Sequence, residues 1–404
     1  MDIIKFINDE AEKYFSKIKE QSSLYDAVVI YGAGSCGKKL YSKLKMRQIN
    51  ISNFCVTKNN VNRTKIDGLD VYSLDEIIQS KRKVLYLLAV LEISMQDDLK
   101  TELVNRGISS YIKMPRIIQS MFRPMYKQRY LEITTKVGCS VNCKYCPQNK
   151  FLKAYHGQME MSIDDFKTCV DKLPSDLMIV FSGFVEPFLA KDTVQMIQYA
   201  NNQGRKIFLN TTLVGMTKSK FDQVKNIPFE RVILHLPDKN NYAHIPTTEE
   251  YFELLQYIIT TKKVDGKCFI DKANSQYEPN ERAYNIVKNY VDVDWVIHDR
   301  AGNLSYDELK NQECKHKRQL TTILRCETSM TLSQNILLPN GDVVLCCNDF
   351  GLQHVLGNLK IETYEDIKNS NEMKHIVDVM NGNVGEILCQ KCHWAIRFDN
   401  EDNV

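Results

Sequence analysis

Regular alternation of strand and helix patterns between residues 129 and 300 is the feature that most constrains the fold of this chain. Six apolar segments typical of strands are separated by segments with apolar residues at helical spacing. The predicted strands are RYLEITT (129–135), LMIVFSG (177–183), KIFLNTT (206–212), RVILHLP (231–237), KCFIDKA (267–273) and DWVIHDR (294–300). Strict alternation predicts a parallel sheet, which when curled is a partial (β/α)6 TIM-like barrel with functional side chains at the carboxyl ends of its strands. The fourth helix is predicted to begin with a capping box of Thr247 and Glu250.

The region before the barrel predicts a smaller α/β domain. Residues 1–22 have the pattern of an amphipathic helix, and over 23–116 an apolar strand at 27–31 runs into a glycine-rich loop and then a helix. Further strand patterns at ISNFCVT, KVLYLLAVL and SSYIKM, with a helix pattern at QDDLKTELVNRG, complete a small Rossmann-like doubly wound sheet. We interpret residues 117–128 as a linker to the barrel.

The glycines of this loop, Gly32, Gly34 and Gly37, have the G-x-G-x-x-G spacing of dinucleotide-binding turns between a strand and a helix. Glycine permits the tight turn, and the helix N-terminus offers unpaired N–H groups to a phosphate. An acidic residue that would hold a ribose is expected at the end of the second strand, but that segment has the sequence VTKN (56–59). NAD is therefore not favoured, while a nucleotide, a nucleotide-linked sugar and a turn of purely structural purpose all remain open.

The pattern changes to loops, glycines and cysteines from about residue 306. The segment NILLPNGDVVLCC predicts a hairpin that turns at Pro339-Asn340-Gly341. We therefore expect a barrel domain over 129–305 and a separate small cysteine-bearing domain over 306–404.

The composition excludes some classes of partner. The 404 residues carry a net charge of +3, so bulk charge indicates neither nucleic acid nor an anionic membrane. The longest apolar run, VLYLLAVL (84–91), is too short to span a bilayer, and the N-terminus lacks the basic start and apolar run of a signal peptide. We therefore expect a cytoplasmic protein, in which metal binding or catalysis explains the 13 cysteines better than disulfides do.

A first group of cysteines, Cys139, Cys143 and Cys146, follows the first barrel strand with C-x3-C-x2-C spacing. A structural zinc site needs a fourth ligand, and the nearest histidine is His156. Three thiolates on an iron–sulfur cluster would instead leave one iron open to a substrate or cofactor. The ring of Tyr145 could cover a flat ligand there. The residues alone leave both the zinc loop and the open cluster as alternatives.

This motif, with an aromatic residue before its last cysteine and a place at the first strand of a six-unit partial barrel, resembles that of the radical S-adenosylmethionine (SAM) superfamily. The resemblance implies a [4Fe–4S] cluster on the three cysteines, whose open iron binds the amine and carboxylate of SAM. It also implies that one electron cleaves SAM to methionine and a 5′-deoxyadenosyl radical, which abstracts hydrogen from a substrate. An external one-electron donor such as flavodoxin or ferredoxin is the implied partner.

Two strand ends resemble the SAM-binding turns of that family. FSGFVEPFLA, after the second strand, is similar to the glycine-rich turn with a glutamate that meets the SAM amine, although Val185 stands where glycine is common. LNTTLVG, after the third strand, is similar to the Asn/Thr turn that contacts the SAM ribose or carboxylate. The implied cofactor-binding residues are Tyr145, Ser182, Gly183, Glu186, Asn210 and Thr212.

A second group of cysteines comprises Cys326, Cys346, Cys389 and Cys392. Four thiols suit either zinc or a second cluster. The G-x4-C hairpin and the later C-x2-C resemble the auxiliary-cluster domains of radical SAM enzymes, of the SPASM and shorter twitch types. No cysteine follows Cys392, so the resemblance implies one auxiliary [4Fe–4S] cluster with four protein ligands. Cys347 is then a neighbour of the cluster or an alternate ligand.

An auxiliary cluster can accept the electron that remains when a carbinol radical becomes a carbonyl. The resemblance therefore implies an oxidoreductase that oxidises or epimerises its substrate. The N-terminal domain favours a small carbohydrate-type substrate, free or linked to a nucleotide or phosphate, and the three-part arrangement resembles radical SAM proteins of surface-polysaccharide biosynthesis. The alternative is a maturase that modifies a peptide or protein.

Candidates for substrate binding and proton transfer lie at strand ends. Arg300, after the sixth strand, could bind a phosphate or a developing alkoxide, and His298 or Asp299 could accept a proton. His235, at the end of the fourth strand, faces the barrel mouth if the alternation holds. Each could instead be a hydrogen-bonded structural group. The obvious hydrogen donors for an epimerisation are Cys268, on the predicted fifth strand, and the ligands of the auxiliary cluster.

Overall fold

The structure is a computed structural model that describes residues 3–57, 65–90, 93–122, 129–295, 297, 299–304, 324–329 and 331–397. The chain divides into two compact units, one of Met1–Lys127 with Phe398–Val404 and the other of Gln128–Arg397. The predicted proton acceptor His298 lies outside the described residues. Within the described part of the chain, no helix is both long enough and apolar enough to cross a membrane.

The first unit is a six-stranded sheet with helices. Its elements are α1 (Ile3–Ser22), β1 (Ala27–Tyr31), α2 (Ser35–Met46), β2 (Asn53–Val56), β3 (Lys65–Ile66), β4 (Leu69–Ser73), α3 (Leu74–Gln79), β5 (Val84–Leu88), α4 (Ile93–Asn105), β6 (Tyr111–Lys113) and α5 (Arg116–Phe122). The strand order is β3-β4-β2-β1-β5-β6, with only β3 antiparallel to its neighbour. Because β1 lies between β2 and β5, the order reverses there, as in a doubly wound sheet.

Two parts of this unit differ from the sequence prediction. The hairpin of β3 and β4, followed by α3, was not predicted, because a two-residue strand has too few positions to show a period. Residues 117–128 were interpreted as a linker, but α5 covers 116–122 and belongs to the first unit. Ile118 and Phe122, one helical turn apart, are both buried, which explains why this segment packs as a helix.

The second unit contains one nine-stranded sheet and a short two-stranded one. Its elements are β7 (Tyr130–Ile133), α6 (Gln148–Ala154), α7 (Ile163–Val170), β8 (Met178–Phe181), α8 (Thr193–Asn202), β9 (Ile207–Thr211), α9 (Lys218–Asp222), β10 (Arg231–His235), α10 (Glu249–Thr260), β11 (Lys272–Ser275), α11 (Glu281–Val287), β12 (Val293–Trp295), β13 (Leu324–Cys326), β14 (Gln334–Leu337), β15 (Asp342–Val344), β16 (Val355–Asn358), α12 (Tyr364–Lys368), α13 (Asn371–Met380) and β17 (Ala395–Arg397). The large sheet has the order β12-β11-β10-β9-β8-β7-β14-β15-β16, and β13 pairs with β17. The predicted α/β class with parallel sheets is confirmed.

Strands β7 to β12 are parallel and lie in sequence order, as a partial barrel requires. The loop after β7 meets the loops after β10 and β11: the Lys144 N–H donates to the Tyr242 carbonyl over 2.8 Å, and the Tyr145 ring lies 5.8 Å from that of Tyr277. A flat sheet would hold β7 and β11 about 19 Å apart. The sheet therefore curls so that these strand ends face one another across an interior.

Alternation along the strands separates core from interior. In β10, Val232 and Leu234 are buried in the core shared with the helices, whereas Ile233 and His235 are half-buried on the other face. The polar side chains at the interior face are therefore available to a ligand, while the apolar ones stabilise the layer of helices.

The fifth strand and the cap of the fourth helix of the predicted barrel are wrong, and the predicted hairpin has an additional pairing. The fifth strand, β11, begins at Lys272, so Cys268 lies before it, where its Sγ donates to the Ile259 carbonyl over 3.2 Å at the end of α10. That position is at the opposite end of β11 from the mouth. The cap of α10 is Thr248, whose side chain accepts from the Tyr251 N–H, rather than Thr247. The hairpin at Pro339–Gly341 forms as predicted, but β14 also extends the barrel sheet by pairing with β7.

Candidate functional site

The loop after β7 gathers the first three cysteines. Gly138 and Asn142 have positive φ angles of 85° and 51°, which fold the chain tightly between the strand and α6. The pKa of the Cys143 thiol is raised to about 12, mainly by burial and in smaller part by the nearby thiols of Cys146 and Cys139. This mutual effect shows that the three sulfur atoms are close together, and each side chain remains partly exposed.

Backbone N–H groups point at these sulfur atoms. Cys139 receives them from Glu186, Val141 and Asn142. Such donors favour a thiolate over a thiol, although burial keeps the pKa of Cys139 raised in their presence. Three neighbouring, partly exposed thiols with backbone donors at Cys139 suit the cluster that the sequence predicts, because thiolates are the ligands of iron–sulfur clusters.

Aromatic rings lie beside this loop. The Tyr145 ring is 5.8 Å from Tyr277, which is 5.2 Å from Tyr242. Tyr145 packs against the core together with Cys143. These three rings therefore form a connected aromatic group beside the first cysteine loop.

Glu186 joins the two predicted SAM-binding turns. Its buried carboxylate accepts hydrogen bonds from the N–H of Phe188 (3.2 Å), the hydroxyl of Thr211 (2.9 Å), and both the N–H (2.6 Å) and hydroxyl (2.7 Å) of Thr212. Burial raises the pKa of Glu186 to about 7 despite these four donors. Since a carboxylate has about four acceptor sites, Glu186 holds the turn after β9 against the turn after β8. Asn210 lies at the interior face of β9, half-buried.

Ser182 and Gly183 bind an acid that the sequence analysis did not single out. The Ser182 hydroxyl donates to Oε2 of Glu132 over 2.7 Å, and the Gly183 N–H donates to the same oxygen over 3.1 Å. A Cβ at Gly183, where φ is 67°, would lie 2.4 Å from Oγ1 of Thr134, so glycine is required. The available signal was the position of Glu132 within RYLEITT, where alternation places it at the interior face.

Arg300 extends into the interior. Its positive charge affects Glu132, Cys146, Tyr145, His235 and Cys347. Arg300 and the next residue, Ala301, have φ angles of 52° and 54°, a backbone conformation that is unusual for residues other than glycine. The structure thus brings Arg300 and His235 together with the first cysteine group.

Asp299 and His235 stay predicted proton acceptors, and the structure shows the contacts of each. Oδ1 of Asp299 accepts from Nδ1 of His393 over 2.5 Å and from the Ala301 N–H over 3.0 Å, so this carboxylate holds the Arg300 loop. Burial and the charge of Arg300 lower the pKa of His235 to about 4, which makes its ring a weak base. His235 pairs in register with Asn274 of β11.

The second group of cysteines also assembles. Cys326 ends β13, Cys346 follows β15, and Cys389 and Cys392 belong to the 3-10 turn Leu388–Lys391 and its end. Burial raises the pKa of Cys389 to about 12, with a contribution from Cys326, and raises the pKa of Cys392 well above its ordinary value, with contributions from Cys326 and Cys389. The pKa of Cys346 is likewise raised by burial and then by Cys347, Cys389 and Cys392. Four mutually close thiols fit the predicted ligand set.

Cys347 faces a different environment from Cys346. Burial raises its pKa to about 12, and the next contributions come from Glu132 and Arg300, which belong to the barrel interior. Cys347 packs with Cys146 against one apolar cluster, whereas Cys346 packs with the other second-group cysteines. The arrangement favours Cys346 as the ligand.

Asn303 ties the Arg300 loop to both cysteine regions. Its amide group donates to the carbonyls of Arg300 (2.6 Å) and Asn348 (3.0 Å), and its oxygen accepts from Nζ of Lys150 (2.6 Å). Lys150 lies on α6, directly after the first cysteine loop, and Asn348 lies two residues after Cys346. Arg300 is therefore fixed relative to both groups.

Among the described residues, no three His, Cys, Asp or Glu side chains converge where a single metal ion could bind. A cluster makes a different demand, because its thiolates bind separate iron atoms.

The glycine loop of the first unit packs closely against the beginning of α2. A Cβ on Gly37 would lie 1.9 Å from the Gly32 carbonyl oxygen, so the helix and the loop pack as closely as glycine allows. Gly34 is the N-cap residue of α2, and no side chain there accepts a hydrogen bond from the first turn of the helix. A Cβ on Gly34 would have no atom within 4 Å. At the end of β2, Thr57 shares a hydrogen bond of 3.3 Å with the Tyr31 hydroxyl, in the place where an acid would hold a ribose.

Residues 326–393 match the SPASM family, described as an iron–sulfur cluster-binding domain. The prediction of a SPASM-type domain with the second cysteine group is therefore confirmed, and this part of the chain is an iron–sulfur domain. No curated protein matches the chain.

Several solved structures are similar to parts of the chain. BtrN in complex with AdoMet and 2-DOIA is 15% identical with a TM-score of 0.42, over 63% of this chain and 87% of BtrN. SuiB of Streptococcus suis bound to precursor peptide SuiA is 13% identical with a TM-score of 0.42, over 74% of this chain and 83% of SuiB. anSMEcpe with bound AdoMet is 14% identical with a TM-score of 0.41, over 66% of this chain and 86% of anSMEcpe. At TM-scores below 0.5 these likenesses do not extend to ligand or activity.

Proposed function

We propose that this chain, whose C-terminal part is a SPASM iron–sulfur domain, is a radical SAM oxidoreductase that acts on a small carbohydrate-type substrate. In this proposal Cys139, Cys143 and Cys146 hold the cluster that binds SAM. The ligands of an auxiliary [4Fe–4S] cluster are Cys326, Cys346, Cys389 and Cys392. When bound, SAM and the clusters supply the radical and the electron transfer.

One observation supports a hydroxyl-rich substrate above others: the barrel interior presents polar atoms that no described residue pairs. Oδ1 of Asn274 and Oε1 of Gln276 are buried without a hydrogen-bond partner. The guanidinium of Arg300 has no ion pair or hydrogen bond within the described ranges. Buried polar atoms cost free energy unless a partner satisfies them, so a ligand with several donors and an acceptor fits this interior. An apolar peptide side chain would leave these atoms unpaired.

The chain's own residues have separate tasks in this reaction. Glu186 fixes the two turns that would border SAM, and the rings of Tyr145 and Tyr277 exclude water beside the cysteines. Arg300 binds an electronegative group of the substrate, such as a phosphate or the oxygen of the reacting carbinol. Asp299 and Asn303 hold Arg300 in place and are positioning residues.

The first unit supports a substrate that carries a nucleotide or phosphate. Its glycine loop leaves the N-terminus of α2 accessible at Gly34, where a phosphate could accept backbone N–H groups. The absence of an acid at the end of β2 favours a nucleotide-linked sugar over NAD. Synthesis of a surface polysaccharide is the process in which such a substrate would be modified.

Anaerobic reconstitution with iron and sulfide is the first test. Two [4Fe–4S] clusters predict about eight irons per chain, and about four would contradict the auxiliary cluster. The reconstituted enzyme should convert SAM to 5′-deoxyadenosine when given a one-electron donor such as flavodoxin or ferredoxin. Bound zinc without absorption near 400 nm would overturn the proposal as a whole.

The substrate test uses nucleotide-linked sugars with deuterium on each ring carbon in turn. Transfer of deuterium into 5′-deoxyadenosine identifies the substrate and the carbon, and a gain of carbonyl distinguishes oxidation from epimerisation. The alternative, a peptide- or protein-modifying maturase, predicts no transfer from any sugar but transfer from a deuterated peptide.

A further inference from the structure

Glu132 is a buried acid in the interior of the barrel. Its neighbours along β7, Leu131 and Ile133, belong to the core shared with the helices, so the pleat of the strand turns Glu132 to the opposite face. The residue is only 7% exposed. Acids are rarely buried to this degree unless they are paired or functional.

The contacts of Glu132 hold its carboxyl in one orientation. Ser182 Oγ and the Gly183 N–H both donate to Oε2, over 2.7 and 3.1 Å. Tyr130, two residues earlier on the same face, lies near the carboxyl group but donates its hydroxyl proton to Oε1 of Gln334 over 3.0 Å. The donors Ser182 and Gly183 fix one side of the carboxyl group and stabilise its ionised form.

Charged and titratable groups surround Glu132 from other elements. Burial raises its pKa, while Ser182, Gly183 and the Arg300 guanidinium counter that shift. The Cys347 thiol responds to both Glu132 and Arg300, so these three groups are neighbours. A buried carboxyl with a raised pKa is a stronger base than an exposed one, so Glu132 suits the transfer of a proton.

Other candidates for the base are weaker. Asp299 is bonded to His393 and Ala301, and the ring of His235 has a pKa near 4. Arg300 is a cation and cannot accept a proton. Among the described groups that meet at Arg300, Glu132 is the acid whose second oxygen, Oε1, lies outside the hydrogen bonds from Ser182 and Gly183.

We infer that Glu132 is the catalytic base of the proposed oxidation and accepts the hydroxyl proton of the carbinol whose hydrogen atom is abstracted. This inference rests on the proposed function. The C–H bond breaks and its hydrogen atom joins the 5′-deoxyadenosyl carbon. The O–H bond breaks and its proton forms an O–H bond on Glu132. The remaining electron leaves to a one-electron acceptor of the iron–sulfur class, and the carbon–oxygen bond becomes a carbonyl.

The test compares wild type with Glu132→Gln, which keeps an oxygen for Ser182 and Gly183 but cannot accept a proton. Glu230→Gln is the matched control, because Glu230 is half-exposed at the opposite ends of the strands. The probes are SAM and the deuterated nucleotide-linked sugar that labels 5′-deoxyadenosine in wild type. We expect the affinity of Glu132→Gln for SAM to be within twofold of that of wild type. Deuterium should still pass from the sugar to 5′-deoxyadenosine in this variant. Formation of the carbonyl product should fall by about 10²- to 10⁴-fold, the usual contribution of a general base.

A second measurement needs no substrate. Infrared difference spectra of wild type minus Glu132→Gln should show a protonated-carboxyl band whose titration midpoint lies above the ordinary Glu pKa of about 4.3. Absence of that band would overturn the inference without bearing on the proposed function.

The outcomes separate the two proposals. If wild type transfers no deuterium from any sugar, the proposed function fails and the infrared result still decides whether Glu132 has the properties of a base. If wild type reacts and Glu132→Gln forms product within threefold of it, Glu132 is not the base. A tenfold loss of SAM affinity in Glu132→Gln would assign the residue to positioning of the turn at Ser182 and would overturn the inference.

Discussion

Glu186→Gln tests whether one carboxylate holds the two turns at the mouth of the barrel together. The wild-type carboxylate accepts four hydrogen bonds, from Phe188, Thr211 and Thr212. An amide oxygen can accept two of them, and the amide nitrogen would then face the other two donors. Each buried donor left without an acceptor costs about 1–3 kcal/mol. The free energy of unfolding should therefore fall by about 2–6 kcal/mol.

Urea unfolding under anaerobic conditions measures this loss. The chain has two tryptophans, Trp295 and Trp394, and both belong to the second unit, so tryptophan fluorescence follows the unit that contains Glu186. Glu230→Gln, at a carboxylate 48% exposed, should change the free energy of unfolding by no more than about 0.5 kcal/mol. A loss below about 1 kcal/mol in Glu186→Gln would refute the four-bond role assigned to this carboxylate.

Three further predictions concern the cysteines, the interior histidine and the glycine loop. Cys346→Ala should lower the iron content from about eight to about four atoms per chain, whereas Cys347→Ala should leave it unchanged; the reverse result would exchange their roles. Because the pKa of His235 is lowered to about 4, the native state binds fewer protons than the unfolded state up to about pH 6.5. The free energy of unfolding should therefore rise with pH across that window more steeply in wild type than in His235→Asn. Urea unfolding that gives the same pH dependence for both proteins would contradict this. Gly37→Ala should destabilise the first unit by about 1–3 kcal/mol, seen as faster amide exchange in α2, because its Cβ would overlap a carbonyl oxygen, while Gly34→Ala should be nearly neutral.

Local patterns were sufficient to predict much of the architecture. Strands β7 to β10 begin within one residue of the predicted segments, because buried apolar runs next to turn residues leave few other registers. β11 was misplaced because the apolar pair Phe269-Ile270 looks like a strand, although it packs in the core before the strand begins. The helix α5 was missed because its pattern is only two turns long and its burial depends on other elements of the first unit.

The roles within the site depended more on tertiary contacts. Glu132 was overlooked because an acid within a strand pattern has no distinctive spacing, and its importance comes from Ser182, Gly183 and Arg300, which are distant in sequence. Asp299 stays a predicted proton acceptor, and the tertiary structure adds its hydrogen bond to Nδ1 of His393, which is distant in sequence.

The sequence by itself determined the α/β class, the cysteine groups and the SPASM-type domain, because these depend on spacing and period along the chain. Only the tertiary structure decided which polar side chains share the interior. Curling of the sheet joins the ends of β7, β10 and β11, and the loop at Arg300 is fixed by contacts with Lys150, Asn348 and His393. Such proximities arise from strand order and packing between distant segments, which no local pattern encodes.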